Sequence, residues 1–164
     1  MEKSIANLNE AFAGESQANR RYLAFAQKAE QEGYLQIARL FRAAAEAETV
    51  HALNHLRALK AIHSTAENLK EAVQGETAEF RDMYPKMIAE ARAEAHKDAE
   101  RTFNFANEVE KVHARLFQKA LDNLDDKEMV DIHVCPVCGY TVEGEPPDKC
   151  PVCGANKKTF KRIE

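Results

Sequence analysis

Apolar residues recur every three or four positions along most of the first 124 residues, which is the spacing of one face of an α-helix. The pattern predicts four amphipathic helices, over about 4–32, 35–62, 65 or 67 to 96, and 98–124. Pro85 lies inside the third, and we expect a kink at Tyr84–Pro85 because proline removes a hydrogen-bond donor. Four helices of this length favour an all-α four-helix bundle.

The composition changes near residue 130. Before that point the chain is rich in Ala, Glu, Lys, Leu and Arg, whereas four of the five Pro and all four Cys lie beyond it. Residues 122–131 are polar and acidic and are interpreted as a linker. We therefore predict two domains, a helical bundle over 1–126 and a small loop-rich module over 127–164.

Charge and hydropathy exclude some classes of protein. The net charge of −4 argues against a nucleic-acid binder, which carries a basic patch. No segment approaches the roughly 20 apolar residues of a membrane span. The first residues, MEKSIANLNE, lack a signal-peptide pattern, so we expect a cytoplasmic location.

The residues with candidate chemical roles lie in an internal repeat. The Gly-Glu-Ser at 14–16 recurs as Gly-Glu-Thr at 75–77, and the Glu-x-x-His at 48–51 recurs at 110–113. The two glutamates of each copy are 33 and 34 residues apart. The chain therefore contains the same helical hairpin twice, each copy with one lone Glu and one Glu-x-x-His.

All six residues fall on the apolar stripes of their helices. Four carboxylates buried together need a compensating charge, because desolvating each one costs several kcal/mol. A pair of divalent cations supplies it, and this ligand pattern is that of ferritin-like di-iron or di-manganese bundles. A single Glu-x-x-His on an Ala/Glu-rich helix is commonplace, but two copies at matched spacing are not. The predicted metal ligands are Glu15, Glu48, His51, Glu76, Glu110 and His113.

Three further residues have two interpretations each. Glu79 follows Glu76 by three residues and is either a seventh ligand or a carboxylate at the solvent-facing rim. Tyr22 and Tyr84 are either proton donors beside the metals or plain core aromatics.

The four cysteines form two Cys-Pro-Val-Cys-Gly segments with eleven residues between the pairs. In a cytosolic protein this arrangement predicts a tetrahedral thiolate metal site rather than disulfides. The spacing fits a structural zinc ribbon as well as an iron site. The redox-type bundle on the same chain favours iron. The predicted ligands are Cys135, Cys138, Cys150 and Cys153.

These segments together resemble rubrerythrin over essentially the whole chain: AFAGES with RRYLAFA, EAETVH, GETAEF with MYP, EVEKVHA, and CPVCGY with CPVCGA. The resemblance implies a ferritin-like di-iron four-helix bundle followed by a rubredoxin-like domain with one iron on four thiolates. It implies that Glu48 and Glu110 bridge the two irons and that Glu15 and Glu76 are terminal ligands. It further implies that His113 is a nitrogen ligand, while His51 and Glu79 exchange at one iron.

The implied activity is reduction of hydrogen peroxide to water in oxidative-stress defence. Glu79, Tyr22 and Tyr84 are the candidates for proton transfer. Electrons would come from an NAD(P)H-linked reductase or a rubredoxin and pass through the four-cysteine iron. The alternatives are a ferroxidase that handles iron, and an electron-transfer protein with a structural zinc ribbon.

The connection between the second and third helices predicts a homodimer that exchanges helical hairpins. A single-chain ferritin-like bundle needs the chain to return along its length there. With ends near 62 and 67, that return is ~34 Å at 1.5 Å per residue. About five residues span at most ~18 Å. We therefore expect each di-iron site to combine the first hairpin of one chain with the second hairpin of another.

Overall fold

The computed structural model describes residues 2–164. They form two units, one ending at His63 and the other running from Ser64 to Glu164. The first unit holds helices α1 (Glu2–Gln31) and α2 (Leu35–Leu59). The second holds α3 (Thr65–Ala78), α4 (Tyr84–Ala93), α5 (Lys97–Asp122) and three short strands. Among the helices of residues 2–164, none has the length and hydropathy of a membrane span.

The first unit is a helical hairpin that packs through small side chains. Gly33 turns the chain between α1 and α2 at a φ of +85°, a conformation that glycine adopts without strain. Small side chains let two helix backbones approach closely, and the contact between the helices then buries them. On α2 the buried small residues recur every seven positions. These buried residues are Ala26, Ala29, Ala38, Ala45 and Ala52.

A π-helical turn, Glu79–Met83, joins α3 to α4, so that the two form one long third helix. In this turn the Tyr84 N–H bonds the carbonyl of Glu79, five residues back. The sequence predicted a kink at Tyr84–Pro85, and the π turn ends directly before this pair. Pro85 has no N–H to donate, so an irregular turn in front of it is consistent with the chemistry of proline.

The ends of the second to fourth helices fall short of their predicted positions. α2 ends at Leu59 rather than near 62, where Lys60 takes a left-handed conformation with a φ of 54°. The third helix ends at Ala93 rather than near 96, and Ala95 has a φ of 56° just beyond it. Four helices followed by a small module are nevertheless confirmed.

The small module is a three-stranded antiparallel sheet in the order β2-β1-β3, built from β1 (Ile132–Val134), β2 (Thr141–Glu143) and β3 (Lys161–Ile163). It packs on α5 of the same unit. A Cβ atom built on Gly139 would lie 3.7 Å from Cγ1 of Val109, which is 2% exposed. The module is therefore fixed against the helix that carries Glu110 and His113.

Candidate metal centres

The first unit brings together one lone Glu and one Glu-x-x-His. Glu15 comes from α1 and Glu48 and His51 from α2, and their ligand atoms lie within 4.8 Å of one another. The Nδ1 atom of His51 is 2.9 Å from Oε2 of Glu48. The His51 side chain is 54% exposed, whereas that of Glu48 is 17% exposed. The histidine is thus the most accessible group of this triad.

The second unit repeats the arrangement with Glu76 from α3 and with Glu110 and His113 from α5, again within 4.8 Å of one another. The Nδ1 atom of His113 lies 2.7 Å from Oε2 of Glu110 and 3.8 Å from Oε1 of Glu76. Burial, and then the charge of Glu110, raise the pKa of the Glu76 carboxyl. Two carboxylates and an imidazole that converge in this way suit a hard divalent cation such as iron or manganese.

Glu79 is not a member of the second triad, but it lies close enough to interact with it. Burial and then the charge of Glu76 raise the pKa of Glu79. Burial raises the pKa of Tyr84 as well, followed by the charges of Glu79, Glu110 and Glu76. Both side chains therefore belong to the surroundings of this triad, and their roles stay predictions.

Tyr22 lies in a different environment from Tyr84. Its ring centroid is 6.4 Å from that of Phe25 and 6.2 Å from that of Phe41. The ring contacts are those of a core aromatic, so its predicted part in proton transfer remains a prediction.

The four cysteines form a third cluster, in which all Sγ atoms lie within 4.8 Å of one another. Sγ of Cys135 is 3.6 Å from that of Cys153, and Sγ of Cys138 is 3.5 Å from that of Cys150. A disulfide would need about 2.05 Å. A tetrahedral metal with bonds of about 2.3 Å would separate its sulfurs by about 3.8 Å. The geometry fits four thiolates around one metal ion.

Backbone N–H groups point at these sulfurs. Burial opposes ionisation of the Cys135 thiol, yet hydrogen bonds from the amides of Val137 and Cys138 lower its pKa. The same amides would stabilise a thiolate bound to metal and tune its reduction potential.

One side chain beside the second triad was missed by sequence reasoning. Oγ1 of Thr141, in β2, lies 3.0 Å from Nε2 of His113. The two residues are 28 positions apart and belong to different motifs. No local pattern in the sequence could have paired them.

Two Glu/Glu/His triads on helical hairpins, together with a four-thiolate module, are the ligand sets of a ferritin-like di-metal carboxylate protein with an attached four-cysteine metal domain. The family model described as Rubrerythrin matches residues 6–121, and the model of the rubrerythrin rubredoxin-like domain matches residues 133–161. The chain belongs to the rubrerythrin family.

Proteins similar to this one match it over nearly its whole length. It is 40% identical to Rubrerythrin-2 of Clostridium acetobutylicum, over 94% of this chain and 93% of the relative. It is 37% identical to nigerythrin of Nitratidesulfovibrio vulgaris, over 96% of this chain and 85% of the relative. The structure of fully reduced, all-ferrous nigerythrin matches with a TM-score of 0.61 and 36% identity, over 97% of this chain and 86% of that one.

These comparisons confirm the predicted fold class, a ferritin-like four-helix bundle followed by a rubredoxin-like four-cysteine domain. They also confirm the di-iron carboxylate site and the rubredoxin-like site as the metal centres of this chain. The assignment of each ligand to a role, and the domain boundary at 126/127, stay predictions.

Proposed function

We propose that this protein reduces hydrogen peroxide to water: H2O2 takes up two electrons and two protons and gives two molecules of water. The electrons enter at the four-cysteine iron from an NAD(P)H-linked reductase or a free rubredoxin. One observation carries the proposal. A single chain carries the ligand triads of a carboxylate di-iron site as well as a four-cysteine site, and His113 of the second triad contacts Thr141 of the four-cysteine module. An iron store has no need of such a carrier.

The carboxylates and histidines hold and adjust the metals in this proposal. Glu48 and Glu110 would hold both metals, while Glu15 and Glu76 would each hold one. His113 would be a permanent ligand, whereas His51 and Glu79 would be alternative ligands of one metal. The large exposed fraction of His51 supports this difference. When bound, the iron pair supplies two electrons and Lewis acidity to the O–O bond.

Glu79 and Tyr84 are proposed to deliver the protons. The raised pKa of Glu79 lets its carboxyl keep a proton at a higher pH than an ordinary Glu. The raised pKa of Tyr84 keeps its hydroxyl protonated, and therefore a donor, to a higher pH than in an ordinary tyrosine. Tyr22 is the corresponding candidate on the first hairpin.

We further propose that the working molecule is a homodimer that exchanges helical hairpins. The connection between α2 and α3 is short, since α2 ends at Leu59 and α3 begins at Thr65. Each complete site then combines the triad of Glu15, Glu48 and His51 from one chain with the second triad of another.

Steady-state turnover under anaerobic conditions tests the activity. The protein is mixed with an NADH-dependent reductase and NADH, and hydrogen peroxide is added in small portions. We expect one NADH to be oxidised per peroxide, in proportion to the concentration of the protein. Native mass spectrometry and an iron-loading assay test the ferroxidase alternative. A 24-subunit shell that takes up many irons per chain, with no peroxide-dependent NADH oxidation, would replace the peroxidase by a ferroxidase.

A further inference from the structure

The contact between Thr141 and His113 has a consequence for the metal site. We propose that Thr141 is a positioning residue that holds His113 in the tautomer required for metal binding and links it to the four-cysteine module. The inference rests on the proposed di-iron peroxidase.

The hydrogen bonds of the Thr141 hydroxyl determine the tautomer. This hydroxyl has one proton, and it donates that proton to the carbonyl of Gly139 over 3.0 Å. Oγ1 must then accept the second hydrogen bond, so the N–H of His113 Nε2 is the donor over 3.0 Å. A proton on Nε2 leaves the lone pair of the neutral imidazole on Nδ1.

The free nitrogen faces the carboxylates. Nδ1 of His113 is the ring atom that lies 2.7 Å from Glu110 and 3.8 Å from Glu76. Thr141 therefore selects the tautomer in which the lone pair points to the place where a metal ion would sit. Hydrogen bonds of this kind fix the ring orientation of metal-binding histidines and raise their basicity.

The equivalent histidine of the first repeat lacks this support. Nδ1 of His51 approaches Glu48 in the same way as Nδ1 of His113 approaches Glu110. Within residues 2–164, however, Glu48 is the one hydrogen-bond partner of His51. Its side chain is 54% exposed, against 26% for His113. The two histidines, which are equivalent in the sequence repeat, therefore differ in hydrogen bonding and in exposure. The additional hydrogen bond with Thr141 favours His113 as the more firmly held of the two ligands.

The module is seated on α5 at three points, which fixes the position of Thr141. Val109 packs near Gly139, His113 meets Thr141, and Lys119 forms an ion pair with Glu143. Thr141 is itself held in β2, where it pairs with Val134 of β1. The hydroxyl is therefore placed by the fold of the module and not by a mobile loop.

The same contact offers a route for electrons. Cys138 is bonded to Gly139, whose carbonyl accepts from Thr141, and Thr141 accepts from His113. In each step along this route the four-cysteine iron would be oxidised from ferrous to ferric and one bundle iron reduced from ferric to ferrous. Two such steps restore the two electrons consumed by one peroxide.

Three variants of the iron-loaded protein test the inference. T141V removes the hydroxyl at constant shape, and T141S retains it. T159V is the matched control, because Thr159 also bonds a backbone carbonyl of the module, that of Asn156 over 2.8 Å. The measurements are the rate at which a chelator removes the bundle iron, the deuterium exchange of the metal-bound histidine N–H protons by proton NMR, and the rate of electron transfer between the two centres.

We expect T141V to bind the bundle iron about 10–100-fold less tightly, so that a chelator removes it faster. One histidine N–H should exchange faster, and electron transfer between the two centres should be slower than in wild type. T141S and T159V should behave as wild type, and the red colour of the four-cysteine iron site should be intact in all three variants.

A T141V variant unchanged in these readouts overturns the inference. So does a T141S variant as impaired as T141V, or a T141V variant that loses its red colour. Absence of peroxide turnover in wild type would refute the proposed function but leave these readouts measurable.

Discussion

At the scale of single residues, Glu110 is the carboxylate on which the second triad depends most. It is 15% exposed and contacts His113, and its charge raises the pKa of Glu76. We expect Glu110→Ala to remove both irons from the bundle, because a bridging carboxylate serves two metals. Iron analysis measures this loss. Glu108→Ala is the matched control, since Glu108 is an exposed residue of the same helix that pairs with Lys111. Retention of two bundle irons in Glu110→Ala would remove its bridging assignment.

Glu79 should affect the reaction more than metal binding. It lies outside the second triad yet is close enough for Glu76 to raise its pKa. We expect Glu79→Ala to keep both irons and to reduce peroxide more slowly, which single-turnover stopped-flow measurements would show. Glu71→Ala, at an exposed position of α3, serves as the control. A Glu79→Ala variant as fast as wild type would mean that Glu79 is not the exchanged ligand.

Sequence reasoning identified the members of both triads but not what holds them. Six residues could be named because the hairpin is repeated, and each repeat unit brings its own three together. Thr141 could not be named, because its contact with His113 depends on how the module packs on α5. A hydrogen bond between residues so far apart in the chain leaves no periodic signal.

At the scale of elements, α3 begins with a capping box. The Ser64 hydroxyl accepts from the N–H of Glu67, and the Glu67 carboxylate accepts from the N–H of Ser64 over 3.1 Å. We expect Ser64→Ala to lower the free energy of unfolding by about 0.5–2 kcal/mol, measured by urea denaturation. Ser64→Asp keeps an N-cap acceptor and should lose much less. Equal losses in the two variants would show that the lost stability does not come from the N-cap acceptor.

The four-cysteine module should be separable from the bundle in function. Cys150 is 3% exposed and is one of the four converging thiols. We expect Cys150→Ser to abolish the red chromophore while circular dichroism shows an intact helical bundle. Steady-state peroxide turnover should collapse, but one stoichiometric oxidation of the pre-reduced bundle should survive. Unchanged steady-state turnover would show that electrons do not pass through this module.

Hydrophobic periodicity predicted the helices but not their irregularities. A π turn such as Glu79–Met83 shifts the helix by one residue, and a stripe of apolar residues tolerates that shift without a visible break. Pro85 was the available signal, and the π turn ends directly before the Tyr84–Pro85 pair. The three strands were not predicted individually, because three residues each are too few for an alternating pattern to emerge.

At the scale of the whole molecule, the proposed exchange of hairpins rests on the length of the chain between the repeats. Leu59 lies about 17 Å past Glu48 along α2, and Thr65 lies about 17 Å before Glu76 along α3, at 1.5 Å per residue. A return to form a bundle within one chain would cover about 33 Å. The six residue steps from Leu59 to Thr65 span at most about 22 Å. Exchange of hairpins between two chains avoids this return.

Two inactive variants, one defective in each hairpin, should restore each other. When Glu48→Ala and Glu110→Ala chains are refolded together, a swapped heterodimer has one site with both defects and one site with none. Random pairing makes about half of the dimers mixed, so about a quarter of the wild-type bundle iron and peroxide turnover should return. Each variant refolded alone should recover neither. As a control, about fifteen Gly/Ser residues inserted between Ala61 and Ile62 let the chain return on itself, which should abolish the rescue. A mixture without any recovery would show that each site is built from one chain.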